Sequence, residues 1–244
     1  MQNFQKIDSW VFDLDNTLYS LHYNLFAQVD VKMTRFIEKR LNVDYQQARY
    51  LQKLYLRDYG TTLAGLMHKH NIEPDAFLEF VHDIDVSVLP PDPDLRGAIA
   101  KLPGRKFIFT NGTAIHAERV ASQLGLRDVF DDVFDIRAAN YIPKPNAHIY
   151  PHMLAHFSLA PSRTAFFEDM ARNLAPAHDL GMATILVQHV NAANELDKEA
   201  ENKIGLKMPE NHILPDYVHH HTPDLKQFLA AIIEAKAGNK KPPH

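Results

Sequence analysis

Asp13 and Asp15 stand two residues apart at the end of the apolar run Ser9-Trp10-Val11-Phe12. An extended chain sends residues i and i+2 to the same side, so both carboxylates would be aimed into one place. Alone, Asp13-Leu14-Asp15-Asn16-Thr17 would be read as an Asx turn with a solvated acid. Three further stretches change that reading. Phe107-Ile108-Phe109 runs into Thr110-Asn111-Gly112, a hydroxyl, an amide and a permissive glycine where backbone donors could close around an anion. Ile142-Pro143-Lys144-Pro145 holds a lysine between two prolines, the second of which disfavours helix at Lys144. Phe166-Phe167 leads into Glu168-Asp169, another acid pair leaving an apolar run, with Asn173 near the start of the next helix. Separately these are a strand-to-helix turn, a loop lysine and a helix cap. Together they supply a nucleophile, a proton-transfer acid, anion donors, a fixed cation and ligands for a metal.

Those side chains meet only if the elements carrying them end at one sheet edge. Residues 9–13, 106–110, 164–168 and 183–187 are short runs apolar on both faces, which predicts buried strands of a parallel sheet. Helical spacing covers Ala114 to Leu124, stopped by Gly125, then Ala147 to Phe157, then Ala171 to Leu180, stopped by Gly181. This alternation, from about residue 94 onward, implies right-handed crossovers and a doubly wound α/β fold with a mostly parallel sheet. In such a fold the functional residues sit at the carboxyl ends of the strands.

The interval 18–93 does not alternate. Helical spacing over 22–41, 45–58, 62–70 and 75–83 predicts a helical cap inserted after the first strand. It closes on Leu89-Pro90-Pro91-Asp92-Pro93-Asp94, whose three prolines read as a stiff, non-helical hinge. The expected division is a core of 1–17 and 94–235, a cap and hinge of 18–93, and a disordered tail of 236–244. Within the core, 188–215 reads as a long loop with a helical piece and 216–219 as a last strand; Thr222-Pro223-Asp224 then opens the final helix.

Composition narrows the function classes. Among 244 residues, 26 Lys plus Arg face 30 Asp plus Glu for a formal charge of -4, so no basic surplus favours nucleic acid. Cys is absent, which excludes disulfides, thiolate metal sites and a cysteine nucleophile. No apolar stretch approaches the roughly 18 residues a spanning helix needs, and the first eight residues have no signal core. The expectation is a cytoplasmic protein with no membrane or nucleic-acid partner.

The four motifs, in this order on successive strand ends, resemble the haloacid dehalogenase (HAD) superfamily of phosphohydrolases. That resemblance implies a HAD-like Rossmannoid core in which Asp13 is the nucleophile and Asp15 the general acid and base. Thr110 would bind phosphate together with Asn111 and Gly112, Lys144 would be the third motif's lysine, and Glu168 with Asp169 the acidic fourth. It assigns one Asp13 oxygen, the Asp15 backbone carbonyl and Asp169 to a metal, with Glu168 farther out. The insert is similar to the family's first type of cap. Within the superfamily, Tyr59-Gly60, Leu63-Ala64-Gly65-Leu66 and the run from Ile142 to Tyr150 look like the pyrimidine 5'-nucleotidase branch. The implied substrate is a small phosphate monoester, a nucleoside monophosphate such as UMP or CMP.

Charge explains why the set belongs together. Asp13, Asp15, Glu168 and Asp169 would repel a phosphate bearing about -1.5 to -2 unless a cation intervened. An acid-rich, Cys-free site suits a hard divalent ion with oxygen ligands, and Mg2+ is expected. Asp15 weighs against carbon–halogen cleavage, since the family's dehalogenases usually lack an acid there. The alternatives are a sugar-phosphate phosphatase or phosphomutase of the same fold and a phospho-accepting signalling module, which would need neither Asp15 nor a cap. His148, His152 and His156 read as a polar helix face, His219-His220-His221 as a loop after a strand, and Phe26, Val29, Met33 and Phe36 as a packing stripe. Tyr19, His22, Asn24, Tyr55, Tyr59 and Thr61 are within reach of a leaving group only if hinge or cap brings them there.

Overall fold

Trp10, Val11 and Phe12 are all completely buried, which a strand achieves only with helices on both of its faces. They form β1 (Ser9–Phe12), the centre of a six-stranded sheet in the computed structural model, which describes residues 4–189 and 214–238. The other strands are β2 (Arg105–Phe109), β3 (Asp132–Phe134), β4 (Thr164–Glu168), β5 (Ala183–Val187) and β6 (His220–Thr222). Their order is β3-β2-β1-β4-β5-β6, and every pairing is parallel. Alternation along the strands sorts side chains into two apolar layers. Trp10, Phe12, Ile108, Phe167 and Ile185 pack on one face, and Val11, Phe107, Phe109, Phe166 and Leu186 on the other. The Phe12 and Phe167 rings stack at 4.6 Å across neighbouring strands.

From β1 the chain runs outward to β2 and β3 and then crosses back to β4 on the other side of β1, so the crevice at the carboxyl ends of β1 and β4 is the topological switch point. Phe12 is level with Ile108 and with Phe167, which puts the residues following β1, β2 and β4 at one edge. Between β1 and β2 lie α1 (Leu25–Leu41), α2 (Tyr45–Tyr59), α3 (Thr62–His70) and α4 (Pro74–His82). Asp44 and Thr61 cap α2 and α3 by accepting from Gln47 N and Ala64 N. The apolar residues of these helices, Ile37, Leu66 and Phe77 among them, join the cluster that covers one face of the sheet.

Several expectations shift. The proline-rich stretch is not wholly non-helical: Pro93 is the first residue of α5 (Pro93–Lys101), where its missing N–H costs nothing, and Asp92 caps Leu95 N at 2.9 Å. The last strand is β6, not 216–219, because Val218 N bonds back to Pro215 O in a turn that delays the extended segment. His220 and His221 are therefore strand residues and not a loop. Thr222 closes β6, and the cap of the final helix is Asp224, whose side chain accepts from Gln227 N at 3.0 Å. The remaining helices are α6 (Ala114–Leu124), α7 (Ile149–Phe157), α8 (Ala171–Asp179) and α9 (Leu225–Gly238). The last of these carries helix to 238, past the expected boundary at 236. Most of the expected 188–215 loop and of the tail lies outside the described residues. No helix among the described residues is long and apolar enough to cross a membrane.

Candidate active site

Asp13 directly follows β1, and its N–H donates to Phe167 O at 2.8 Å, so the strand pairing fixes the backbone that carries it. The chain then turns back through Asn16 in left-handed backbone (φ 61), a conformation Asn tolerates better than most residues. That turn brings the Thr17 hydroxyl to donate to Asp13 Oδ2 at 3.2 Å. The other oxygen, Oδ1, accepts from Lys144 Nζ at 2.7 Å. Lys144 is 2% exposed and spends its remaining ammonium hydrogens on Phe109 O at 2.8 Å and Glu168 Oε2 at 3.0 Å. Its loop is held by Asn111, which accepts from Lys144 N at 2.8 Å and donates to Lys144 O at 3.2 Å. The Asn111 side chain is thus occupied in placing the lysine. An anion beside it would meet backbone groups and the Thr110 hydroxyl.

Thr110 follows β2, and its Oγ1 accepts from Gly112 N at 2.9 Å, which leaves the hydroxyl hydrogen free to point elsewhere. Gly112 does not need glycine for a left-handed turn, since its φ is ordinary; it needs space. A Cβ there would stand 3.2 Å from His116 Cδ2. His116, in the first turn of α6, reaches back to Asp15 with Nε2 3.0 Å from Oδ1, and Tyr19 OH donates to the same oxygen at 2.6 Å. At the end of β4, Glu168 Oε1 accepts from Asn173 Nδ2, and Asp169 follows it into the crevice. One carboxylate oxygen each from Asp13, Glu168 and Asp169 lie within 4.8 Å of one another. Three hard oxygen donors so close suit a divalent cation of the Mg2+ or Ca2+ kind.

A family model described as a haloacid dehalogenase-like hydrolase matches residues 7–181, a span that holds every residue just placed. The chain belongs to that family. Among relatives of this hydrolase, phosphate metabolism protein 8 of Saccharomyces cerevisiae is 26% identical over 209 residues, 78% of this chain and 63% of the yeast protein. The chain therefore spans less than two thirds of that relative. Glyceraldehyde 3-phosphate phosphatase of Methanocaldococcus jannaschii is 24% identical over 191 residues, 72% of this chain and 83% of the archaeal one. Among solved structures, L-2-haloacid dehalogenase from Xanthobacter autotrophicus aligns with a TM-score of 0.59 at 19% identity, covering 93% of this chain and 98% of that one. A HAD phosphatase from Thermococcus onnurineus gives the same TM-score and coverage at 16% identity. At such identities the likeness is one of fold.

The electrostatics of this hydrolase fall into two halves. In the first, burial pushes the Asp13 carboxyl up against the pull of Lys144, and burial with Asp13 repulsion pushes Glu168 up to about 7. Burial, then Glu168 and Asp13, raise Asp169 strongly. Burial opposes the charge on Lys144, but Asp13 and Glu168 outweigh it and hold its pKa above the ordinary value. One lysine thus faces three acids whose ionisation it only partly supports, and a further positive charge would settle them. Asp15 forms the other half. Burial would raise it, yet His116 and Tyr19 overcome that and hold it down at about 2.

Other residues singled out from the sequence lie elsewhere or are spent. Tyr55 OH pairs with His70 Nε2 at 2.6 Å, and the Thr61 hydroxyl is used as the α3 cap. His148 precedes α7, while His152 and His156 are exposed on it. Sequence reasoning missed His116, and with it His82, whose ring stacks on it at 4.4 Å. A signal existed for the first: on α6 the buried face is His116, Ala117, Val120, Ala121 and Leu124, so one polar residue interrupts an apolar stripe six positions after Thr110.

Proposed function

We propose that this hydrolase cleaves phosphate monoesters through an aspartyl-phosphate on Asp13, and that its substrates are nucleoside 5'-monophosphates with a pyrimidine base. The observation that carries the reading is the pairing of two differently treated acids at one strand end. Asp13 is gripped by Lys144 and Thr17, whereas Asp15 carries its own pair of donors. An acid two residues beyond the nucleophile serves a leaving alcohol, which carbon–halogen cleavage does not have. The Asp13 carboxylate attacks phosphorus in line, the ester P–O bond breaks, and the departing oxygen takes a proton from Asp15, whose carboxyl, held at about 2 by His116 and Tyr19, the negative charge of the bound phosphate must first bring to its acid form. Water then attacks the phosphorus of the acyl phosphate and gives a proton to Asp15, which frees inorganic phosphate and restores Asp13. Thr110 and nearby backbone amides hold the phosphoryl oxygens, and Lys144 keeps the Asp13 carboxylate oriented. Asp13, Asp169 and Glu168, with the Asp15 carbonyl, are the groups that would hold Mg2+, which supplies the positive charge that dianion and carboxylates together require. Residues 18–93 act as the cap that closes over the bound ester and excludes bulk water.

Tyr59-Gly60 and Leu63-Ala64-Gly65-Leu66 in the insert support the nucleotidase choice by resemblance. The archaeal relative's name favours a second reading, a phosphorylated triose as substrate. Phosphate release from the four ribonucleoside monophosphates and from glyceraldehyde 3-phosphate, side by side at equal Mg2+, decides. The expected order is UMP and CMP above AMP and GMP; a purine preference, a flat profile or a preference for the triose would reject the nucleotidase class.

Mg2+ should also leave a mark that does not depend on turnover. Carboxyls whose folded pKa is raised cost stability as pH rises from the unfolded value to the folded one, for Glu168 from 4.5 to about 7. A cation that binds the ionised forms recovers that loss. Mg2+ is therefore expected to raise the melting temperature more near pH ~8 than near pH ~5, with about 2.7 kcal/mol of stabilisation at a hundredfold excess over Kd. Equal shifts at both pH values would show that Mg2+ binds elsewhere.

A further inference from the structure

The His116 side chain is completely buried, yet the only hydrogen bond it makes among the described residues is the one from Nε2 to Asp15; Nδ1 is buried with no partner. A histidine kept merely to fill space would be replaced at a gain by an apolar ring, since an unpaired buried nitrogen carries a desolvation cost. Facing a carboxylate, Nε2 must carry the hydrogen. Tyr19 OH reaches the same oxygen, Oδ1, from the other direction. Both donors therefore load one oxygen of Asp15. Oδ2 has no hydrogen-bond partner among the described residues, and the side chain keeps 18% exposure.

The ring that supports His116 comes from the insert. His82, the last residue of α4, lies over the imidazole with centroids 4.4 Å apart and planes 12° from parallel. Burial, with His116 nearby, depresses the His82 pKa to about 3, so it stacks as a neutral ring. Its place is set from α6: Arg119 donates to His82 O and to Ile84 O, both at 2.6 Å, and the Thr113 hydroxyl stands 3.4 Å from His82 Nδ1. Gly112 leaves the room the pair occupies, since a Cβ there would meet both rings.

We propose that His116, braced by His82 from the helical insert, is a positioning residue for Asp15: by tying down Oδ1 it presents Oδ2 to the leaving group. This rests on the phosphomonoesterase reading above. The carboxylate of a two-bond side chain in a turn can swing about χ1 and χ2, and proton transfer needs it within hydrogen-bond reach of the departing oxygen. Two donors on one oxygen remove that freedom without blocking the other. Because the brace belongs to the insert, the acid is set only while α4 is seated on α6.

Donor and ring can be separated by substitution. His116→Phe keeps a ring for His82 to stack on and removes the donor; His116→Gln places an amide N–H at similar reach and removes the ring. Each variant is assayed for kcat and KM on UMP, a poor alkoxide leaving group, and on p-nitrophenyl phosphate, which departs with little need of a proton. His116→Phe is expected to lose about 10²-fold in kcat/KM, which reports the step that expels the leaving group, on UMP and to stay within about threefold on the aryl ester, with His116→Gln recovering most of the loss. Tyr19→Phe, which removes the second donor and keeps its ring, should show the same selectivity in smaller measure. His82→Ala should resemble a mild His116→Phe, and His82→Phe should restore it. Equal losses of kcat/KM on both esters, or His116→Phe outperforming His116→Gln, would overturn the positioning role and leave the phosphatase reading standing. A wild-type protein that releases phosphate from neither ester would overturn both.

Discussion

Asp13→Asn is expected to lower kcat by at least ~10⁴-fold while leaving the protein folded. The amide can keep both local bonds, accepting from Lys144 with its oxygen and donating to the Thr17 hydroxyl with its nitrogen, in place of the present contacts at 2.7 and 3.2 Å. What it cannot do is attack phosphorus as a carboxylate. Its effect on stability should be small, because two changes oppose. Lys144 loses one charged partner, but Asp13 is itself a costly buried carboxylate and the second cause, after burial, of the raised Glu168. Melting curves in chelator should therefore stay within a few degrees of wild type. Acid-quenching wild-type protein during turnover of UMP should leave a phosphoryl group on the peptide that contains Asp13, and the variant should carry none. Retention of more than about a hundredth of wild-type kcat would remove Asp13 from the role of nucleophile.

The parts of this arrangement that could be read in the sequence are those where local chemistry and global position agree. β1, β4 and β5 are apolar on both faces because helices cover both sides of the sheet, and that two-sided burial is written in consecutive residues. β3 is not, since of Asp132, Val133 and Phe134 at the sheet edge only the last is buried. Pro93 misleads in isolation because the same ring that forbids the interior of a helix suits its first position, and only Asp92 as a capping residue distinguishes the two. In the site, the acids stand at strand ends, where pattern alone brings them together. The bond from Lys144 to Glu168 spans 24 positions and that from His116 to Asp15 spans 101, and no spacing rule joins them. His82 is still less legible. It stands in the insert, and it matters only through the way α4 docks against α6.

Removing the lysine should do more damage than its single charge suggests, and the damage should depend on pH. In Lys144→Met the hydrocarbon stem is kept, but Asp13 and Glu168, both nearly inaccessible, face each other with no ammonium between them. Breaking a buried pair from one side typically costs about 3–5 kcal/mol, because the partner's charge is left uncompensated. Here the acids can escape by taking up protons, and without Lys144, whose charge lowers it, Glu168 would titrate above its present value of about 7, so the extra loss should be mild near pH ~5 and grow as the medium rises past about 7. Mg2+ should recover part of the stability near pH ~8, since it binds the same ionised oxygens. Turnover should not recover with it: kcat is expected to stay at least ~10³-fold down, because nothing then orients the Asp13 carboxylate toward phosphorus. Melting temperature across that pH range, with chelator and with Mg2+, tests the first half, and UMP hydrolysis at saturating Mg2+ tests the second. A variant as stable as wild type near pH ~8 in chelator would mean that Glu168 and Asp13 do not share the burden of Lys144. One that turns over within tenfold of wild type would mean that the metal alone sets the nucleophile.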